Sequence, residues 1–100
     1  MEKTISFLQK NFTRKITLAE TARNVRMESE SFRRFFKKSI RVNFSDYVLE
    51  LRLSCARRLL LETNLSISEI AIRSGFHNLS NFNRLFLAKH QTTPGHYRSM

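Results

Sequence analysis

Apolar side chains recur along this chain at helical spacing, and nowhere do apolar and polar residues alternate persistently as in a half-buried strand. Ile5, Leu8 and Phe12 fall at i, i+3 and i+7 and predict a first helix over 3–12, with Phe7 off that line. Phe32, Phe35, Phe36 and Ile40 fall on one face of a helix over 29–40, and Phe82, Leu85 and Phe86 on one face of a helix over 79–90. The longest periodic segment runs from Ser45 to Thr63, with Val48, Leu49, Arg52, Cys55, Ala56, Leu59 and Leu60 as its inner stripe. Thr17 and Ser66 each stand three residues before a Glu, a capping box that starts short helices over 18–25 and 67–74. Thr93 before Pro94 marks a last capped turn, with Tyr97 closing the core beneath it. Gly75, Gly95 and Pro94 are the only helix breakers, so the pattern is all-α with about seven helices.

The pattern is also duplicated. Phe32-Arg33-Arg34-Phe35-Phe36 returns fifty residues later as Phe82-Asn83-Arg84-Leu85-Phe86, and Leu18, Glu20, Ala22 and Met27 return forty-nine residues later as Ile67, Glu69, Ala71 and Phe76. Each copy reads as two short helices joined by a tight turn, a geometry that holds a second helix out toward the major groove. The domain, residues 1–100, therefore divides into a first helix-turn-helix lobe (1–44), a long central helix (45–63) and a second lobe (64–100). At 1.5 Å per residue the connector is somewhat under about 30 Å long, close to the roughly 34 Å between successive groove entries on one side of a duplex. Such a connector is expected to hold both outward helices about one turn of DNA apart.

Charge adds a partner. Lys and Arg number 18 against 8 Asp and Glu, a formal +10, and both halves are basic. An excess of this size implies nucleic acid or an acidic membrane surface. No apolar run approaches the eighteen residues of a membrane span, and the N-terminus has no signal-peptide core. A single cysteine, Cys55, excludes an internal disulfide and a Cys-rich zinc site and suits a reducing cytoplasm; its leucine neighbours predict a buried thiol. His77, His90 and His96 lack metal-site spacing, and neither a catalytic triad nor a Gly-rich phosphate loop is present, so no enzyme and no cofactor are expected.

Outward positions on the two second helices are the candidates for reading bases. Arg34 and Arg84 occupy equivalent positions, and a guanidinium bridges guanine O6 and N7 or clamps a phosphate. Arg33, Ser31 and Glu30 flank the first, and Ser80, Asn81 and Asn83 the second; Asn suits adenine, while Glu30 either accepts from cytosine N4, repels phosphate or caps its own helix. Leu79 and Leu87 are placed to touch thymine methyls, although a surface leucine is ordinary. Phosphate contacts are expected from Arg14, Lys15, Lys37, Lys38, Arg41 and His77, and from the helix starts at Thr17 and Ser66. The phenylalanines read as core rather than as stacking platforms for single strands.

Residues 16–98 resemble the DNA-binding domain of the AraC/XylS family of transcription regulators. The resemblance rests on Leu60-Leu61-Glu62-Thr63-Asn64-Leu65-Ser66-Ile67-Ser68-Glu69-Ile70-Ala71, then Gly75-Phe76, Phe82-x-Arg84-x-Phe86 and Thr93-Pro94-x-x-Tyr97-Arg98. It implies seven helices in two helix-turn-helix lobes, a monomeric domain that places both reading helices in adjacent grooves of promoter DNA, and activation through RNA polymerase. It also implies groove-facing roles for Arg34 and Arg84, and sequence preference set by Glu30, Ser31, Arg33, Ser80, Asn81 and Asn83. Two departures stand out: Arg26 lies at a turn position where the pattern has Gly or Asn, and Leu87-Ala88 stand where the first copy has Lys37-Lys38. The chain reads as a DNA-binding fragment whose sensing or dimerisation domain is missing, or as a small stand-alone regulator. The alternative is a helical adaptor for protein or membrane surfaces without specific DNA binding.

Overall fold

Side-chain caps and left-handed turns cut the chain into seven helices: α1 (Glu2–Asn11), α2 (Leu18–Asn24), α3 (Ser29–Ile40), α4 (Phe44–Glu62), α5 (Ile67–Arg73), α6 (Leu79–His90) and α7 (Pro94–Ser99). The computed structural model describes residues 1–100 and contains no strand. Thr17 Oγ1 accepts from the Glu20 amide at 3.0 Å and Ser66 Oγ from the Glu69 amide at 3.1 Å, which fixes the starts of α2 and α5. The return arm of the expected capping box is absent. The Glu20 carboxylate binds Arg14 and the Glu69 carboxylate binds Arg73 instead, because a guanidinium within reach is a stronger donor than one exposed amide.

Both short helices end in the same Schellman turn. Met27 N–H donates to Ala22 O at 2.9 Å and Arg26 N–H to Arg23 O at 3.0 Å; Phe76 N–H donates to Ala71 O at 3.0 Å and Gly75 N–H to Ile72 O at 3.1 Å. This motif needs a left-handed residue just past the helix, supplied by Gly75 (φ 96°) in one copy and by Arg26 (φ 58°) in the other. A residue with a Cβ at that position costs about 1–2 kcal/mol, so the first turn is built less favourably than the second. The helices α3 and α6 end on left-handed Arg41 (φ 74°) and Gln91 (φ 57°).

Two compact units result, Met1–Leu51 and Arg52–Met100, with α4 running across the boundary between them. The first buries Leu8, Ala22, Phe32, Phe36, Phe44 and Val48. The second buries Leu53, Ala56, Leu60, Ile70, Ala71, Phe76, Phe82 and Phe86. The aromatic packing repeats: Phe36 meets Tyr47 edge-on at 5.5 Å and 75°, and Phe86 meets Tyr97 at 5.4 Å and 78°. The duplication thus extends beyond the phenylalanine motifs into the start of α4 and into α7. Their N-caps correspond too: Asn43 Oδ1 accepts from the Asp46 amide at 2.8 Å, and Thr93 Oγ1 from the His96 amide at 3.1 Å. In the second unit Arg98 donates to Leu60 O and Thr63 O, at 3.1 and 3.2 Å. It satisfies carbonyls at the end of α4, whose last turn holds no cation of its own.

Three packing expectations are corrected. Phe35 is 42% exposed rather than in the core, because the inner line of α3 is Phe32 and Phe36 at i, i+4 and Phe35 falls at its edge. Leu49, Cys55 and Leu59 on α4 are only partly buried, while Leu53, outside the expected stripe, is fully buried. A stripe drawn along the whole helix averages two sets: Phe44 and Val48 serve the first core, and Leu53, Ala56 and Leu60 the second. In α1 the buried pair is Thr4 and Leu8, with Ile5 and Phe12 at the margin.

Candidate nucleic-acid interface

The two helices that follow the Schellman turns, α3 and α6, are each twelve residues long and align residue for residue. Burying Phe32 and Phe36, or Phe82 and Phe86, turns the opposite face of each helix to solvent. Arg34 and Arg84 are exposed at the same position of the two helices. Arg33, Glu30, Ser80 and Asn83 are exposed beside them, whereas Ser31 and Asn81 are half-buried at the flank of each face.

The same outward face carries different chemistry in the two units. On α3, Glu30 accepts from Arg33 through both carboxylate oxygens, the Nε contact being 3.1 Å, and lies 3.9 Å from Arg34. The Arg33 guanidinium holds the Glu30 carboxyl below its ordinary range, with a smaller contribution from Arg34, and the Arg33 guanidinium is raised in return. Glu30 therefore stays ionised at neutral pH and orients Arg33 before any partner arrives. On α6 there is no acidic side chain. Its start is held by Asn78, whose Oδ1 accepts from the Asn81 amide at 2.7 Å, while Glu28 at the start of α3 makes no such bond.

A groove runs along each of these helices toward the N-cap of the helix that follows. In the first unit it measures about 480 Å³ and is lined by Leu18, Arg33, Lys37, Asn43, Phe44 and Asp46. In the second it measures about 570 Å³ and is bordered by Leu79, Ser80, Asn83, Arg84, Leu87 and Thr93. Asn83 and Leu87 occupy the positions of Arg33 and Lys37, so two cations on the first groove become an amide and an isobutyl group on the second.

The remaining phosphate candidates separate by availability. Lys15, Lys37, Lys38, Arg41 and His77 are exposed. Arg14 is engaged, donating to Glu20 at 2.5 and 3.2 Å and to Lys15 O at 2.9 Å; that bond and the attendant charge lower the Glu20 carboxyl and raise Arg14. The side-chain oxygens of Thr17 and Ser66 are occupied as caps. Asn78 was not among the expected residues, although an Asn three residues before the Asn81 amide is a recognisable N-cap signal. The Arg57 contact to His90, with Nη1 donating to Nε2 at 3.0 Å, links residues 33 apart and had no sequence signal. No group of His, Cys, Asp and Glu able to hold a metal is present, and no helix is long and apolar enough to cross a membrane.

Two helix-turn-helix units, each holding a basic helix outward, define a double helix-turn-helix domain. Residues 21–100 match the family described as "Helix-turn-helix domain". The chain belongs to the AraC/XylS family of helix-turn-helix transcription regulators, as part of its DNA-binding domain class. The C-terminal domain of the two-component response regulator yesN from Fusobacterium nucleatum superposes with a TM-score of 0.93 at 32% identity, covering 97% of this chain and 95% of that one. Among curated relatives, the bifunctional transcriptional activator/DNA repair enzyme AdaA of Bacillus subtilis is 34% identical over 94% of this chain and 44% of its own length. The transcriptional activator RhaR of Mannheimia succiniciproducens is 32% identical over 99% of this chain and 36% of its own. The chain thus spans less than half of these relatives. The DNA-binding domain of AdpA, solved with a target DNA, shares the fold at a TM-score of 0.93 and 20% identity.

Proposed function

We propose that this chain reads double-stranded promoter DNA in two places, one through α3 and one through α6, and thereby regulates transcription in the cytoplasm. The observation that carries this reading is the recurrence, on two matched helices that each follow a Schellman turn, of an exposed arginine at the same position of the helix. A charge serving only solubility has no reason to keep that register. In this reading Arg34 and Arg84 engage base edges, with Glu30, Ser31 and Arg33 adjusting preference on α3 and Ser80, Asn81 and Asn83 on α6. Lys15, Lys37, Lys38, Arg41 and His77 hold the phosphates, and Arg14 joins them by exchanging Glu20 for a phosphate. The relatives named as activators support activation of transcription; in this reading it runs through contact with RNA polymerase, with a separate sensing or dimerisation domain acting alongside this one.

The two units differ in how they grip. Each phosphate contact contributes about −0.9 to the slope of log affinity against log salt. Lys37→Ala is expected to flatten that slope by close to this amount and to weaken binding on every duplex, whereas Leu87→Ala leaves the slope unchanged. Fluorescence anisotropy titrations across a salt series measure both; a larger slope change for Leu87→Ala would refute the asymmetry. A gel-shift panel of duplex DNA, single-stranded DNA and anionic liposomes tests the wider reading. Preference for one duplex sequence is expected, and equal binding to liposomes with no duplex preference would favour a surface adaptor.

A further inference from the structure

We infer that Leu79 and Leu87 are specificity-determining residues that seat thymine 5-methyl groups, so that the second unit selects a thymine-containing half-site by apolar contact while the first does not. This rests on the DNA-reading function proposed above and deepens it. Both leucines lie at the border of the open groove along α6, 39% and 48% exposed, on the face that carries Ser80, Asn83 and Arg84. One exposed leucine is unremarkable. Two of them bordering one groove that otherwise presents hydroxyl, amide and guanidinium groups form an apolar rim beside the polar face.

The occupant follows from what a major groove offers. Thymine presents the only apolar group there, its 5-methyl, beside the O4 acceptor. A chain of formal charge +10 is drawn to the phosphates that border that groove. The cap at Asn78 fixes the first turn of α6 and so the position of Leu79. Leu79 and Leu87 are eight residues apart, about 12 Å along the helix axis, far enough to meet different base pairs. Arg84 lies between them along that axis, which predicts separate thymines within the half-site that Arg84 engages. At the equivalent positions α3 has Ser29 and Lys37, which offer no such surface.

Deoxyuridine tests this directly, since it keeps every hydrogen-bonding group of thymine and lacks only the methyl. A duplex selected from a random pool is resynthesised with each thymine replaced in turn by deoxyuridine, and affinity is measured for the unaltered protein, Leu79→Ala and Leu87→Ala. Burial of one methyl is worth about 0.8 kcal/mol, so about a four-fold loss is expected at each of two thymines of the half-site that responds to Arg84→Ala. That loss should vanish at one position in Leu79→Ala and at the other in Leu87→Ala, with no such loss in the half-site read by α3. Circular dichroism melting confirms that the variants fold, and the scan on unaltered protein needs no variant. Sequence-specific binding with every deoxyuridine neutral would overturn the thymine assignment and leave the DNA-reading function standing. Failure to select any preferred duplex would overturn both.

Discussion

Replacing Arg84 with alanine should weaken binding to the preferred duplex by about 1–3 kcal/mol, from roughly five-fold to more than a hundredfold, and erase preference at one or two base pairs of one half-site. The size follows from its setting. Arg84 is exposed on a helix with no acidic side chain, so its guanidinium breaks no helix-borne ion pair to reach a base. Arg34→Ala should relax preference in the other half-site by less, because Arg33 stands one residue away where α6 has Asn83. Glu30 also already shares the charge of both α3 arginines. Selection of binding sites from random pools with each variant measures this. Weaker binding with unchanged preference would assign that arginine to phosphate.

Phe86→Ala should cost the fold about 3–5 kcal/mol, the usual loss for deleting a fully buried aromatic ring. The Phe86 ring is wholly buried and lies 5.6 Å from Phe82, 4.5 Å from the His90 ring and 5.4 Å from Tyr97. Small domains are stable by only about 5–15 kcal/mol in total, so a unit of this size loses much of its reserve and α6 its support. Phe35→Ala, at a ring 42% exposed, should stay near or below about 1 kcal/mol. Urea titrations followed by circular dichroism compare the two. Equal losses would mean that the core of the second unit is not centred on Phe86.

Much of this architecture can be read from residue spacing. Helices whose ends are set by local chemistry, such as α3 and α6 between a cap or turn and a left-handed residue, coincide with their expected ranges of 29–40 and 79–90. The resemblance marks Arg26 as a departure at a turn position that has Gly or Asn, and the structure gives that residue a positive φ. The central helix was harder because periodicity assumes a single inner face. On α4 Phe44 and Val48 belong to one core and Leu53, Ala56 and Leu60 to another, which placed Leu53 outside the expected stripe and Leu49, Cys55 and Leu59 too deeply inside it. Phe35 shows the same limit at smaller scale, since a ring one step off the inner line has the right spacing and the wrong burial.

The candidate interface divides in the same way. The exposed register of Arg34 and Arg84 follows from the phenylalanines that face inward around them. What spacing does not contain is how side chains on the surface satisfy one another. The pairing of Glu30 with Arg33, the retention of Arg14 by Glu20 and the contact of Arg57 with His90 all depend on which groups the folded chain brings within reach. The continuation of the repeat through Tyr47 and Tyr97 was present in the sequence at the same interval of fifty residues, but the change from the start of a long helix to a short terminal one concealed it.

The most direct measurement is the affinity of a single chain for duplexes carrying both preferred half-sites at graded separations. Two reading helices on one chain predict the tightest binding when half-site centres lie about 10–10.5 base pairs apart. A five-base-pair insertion, which turns the second site to the far side of the duplex, should drop binding to the level of one half-site alone. Affinity indifferent to that insertion, or full affinity for a single half-site, would contradict bipartite reading.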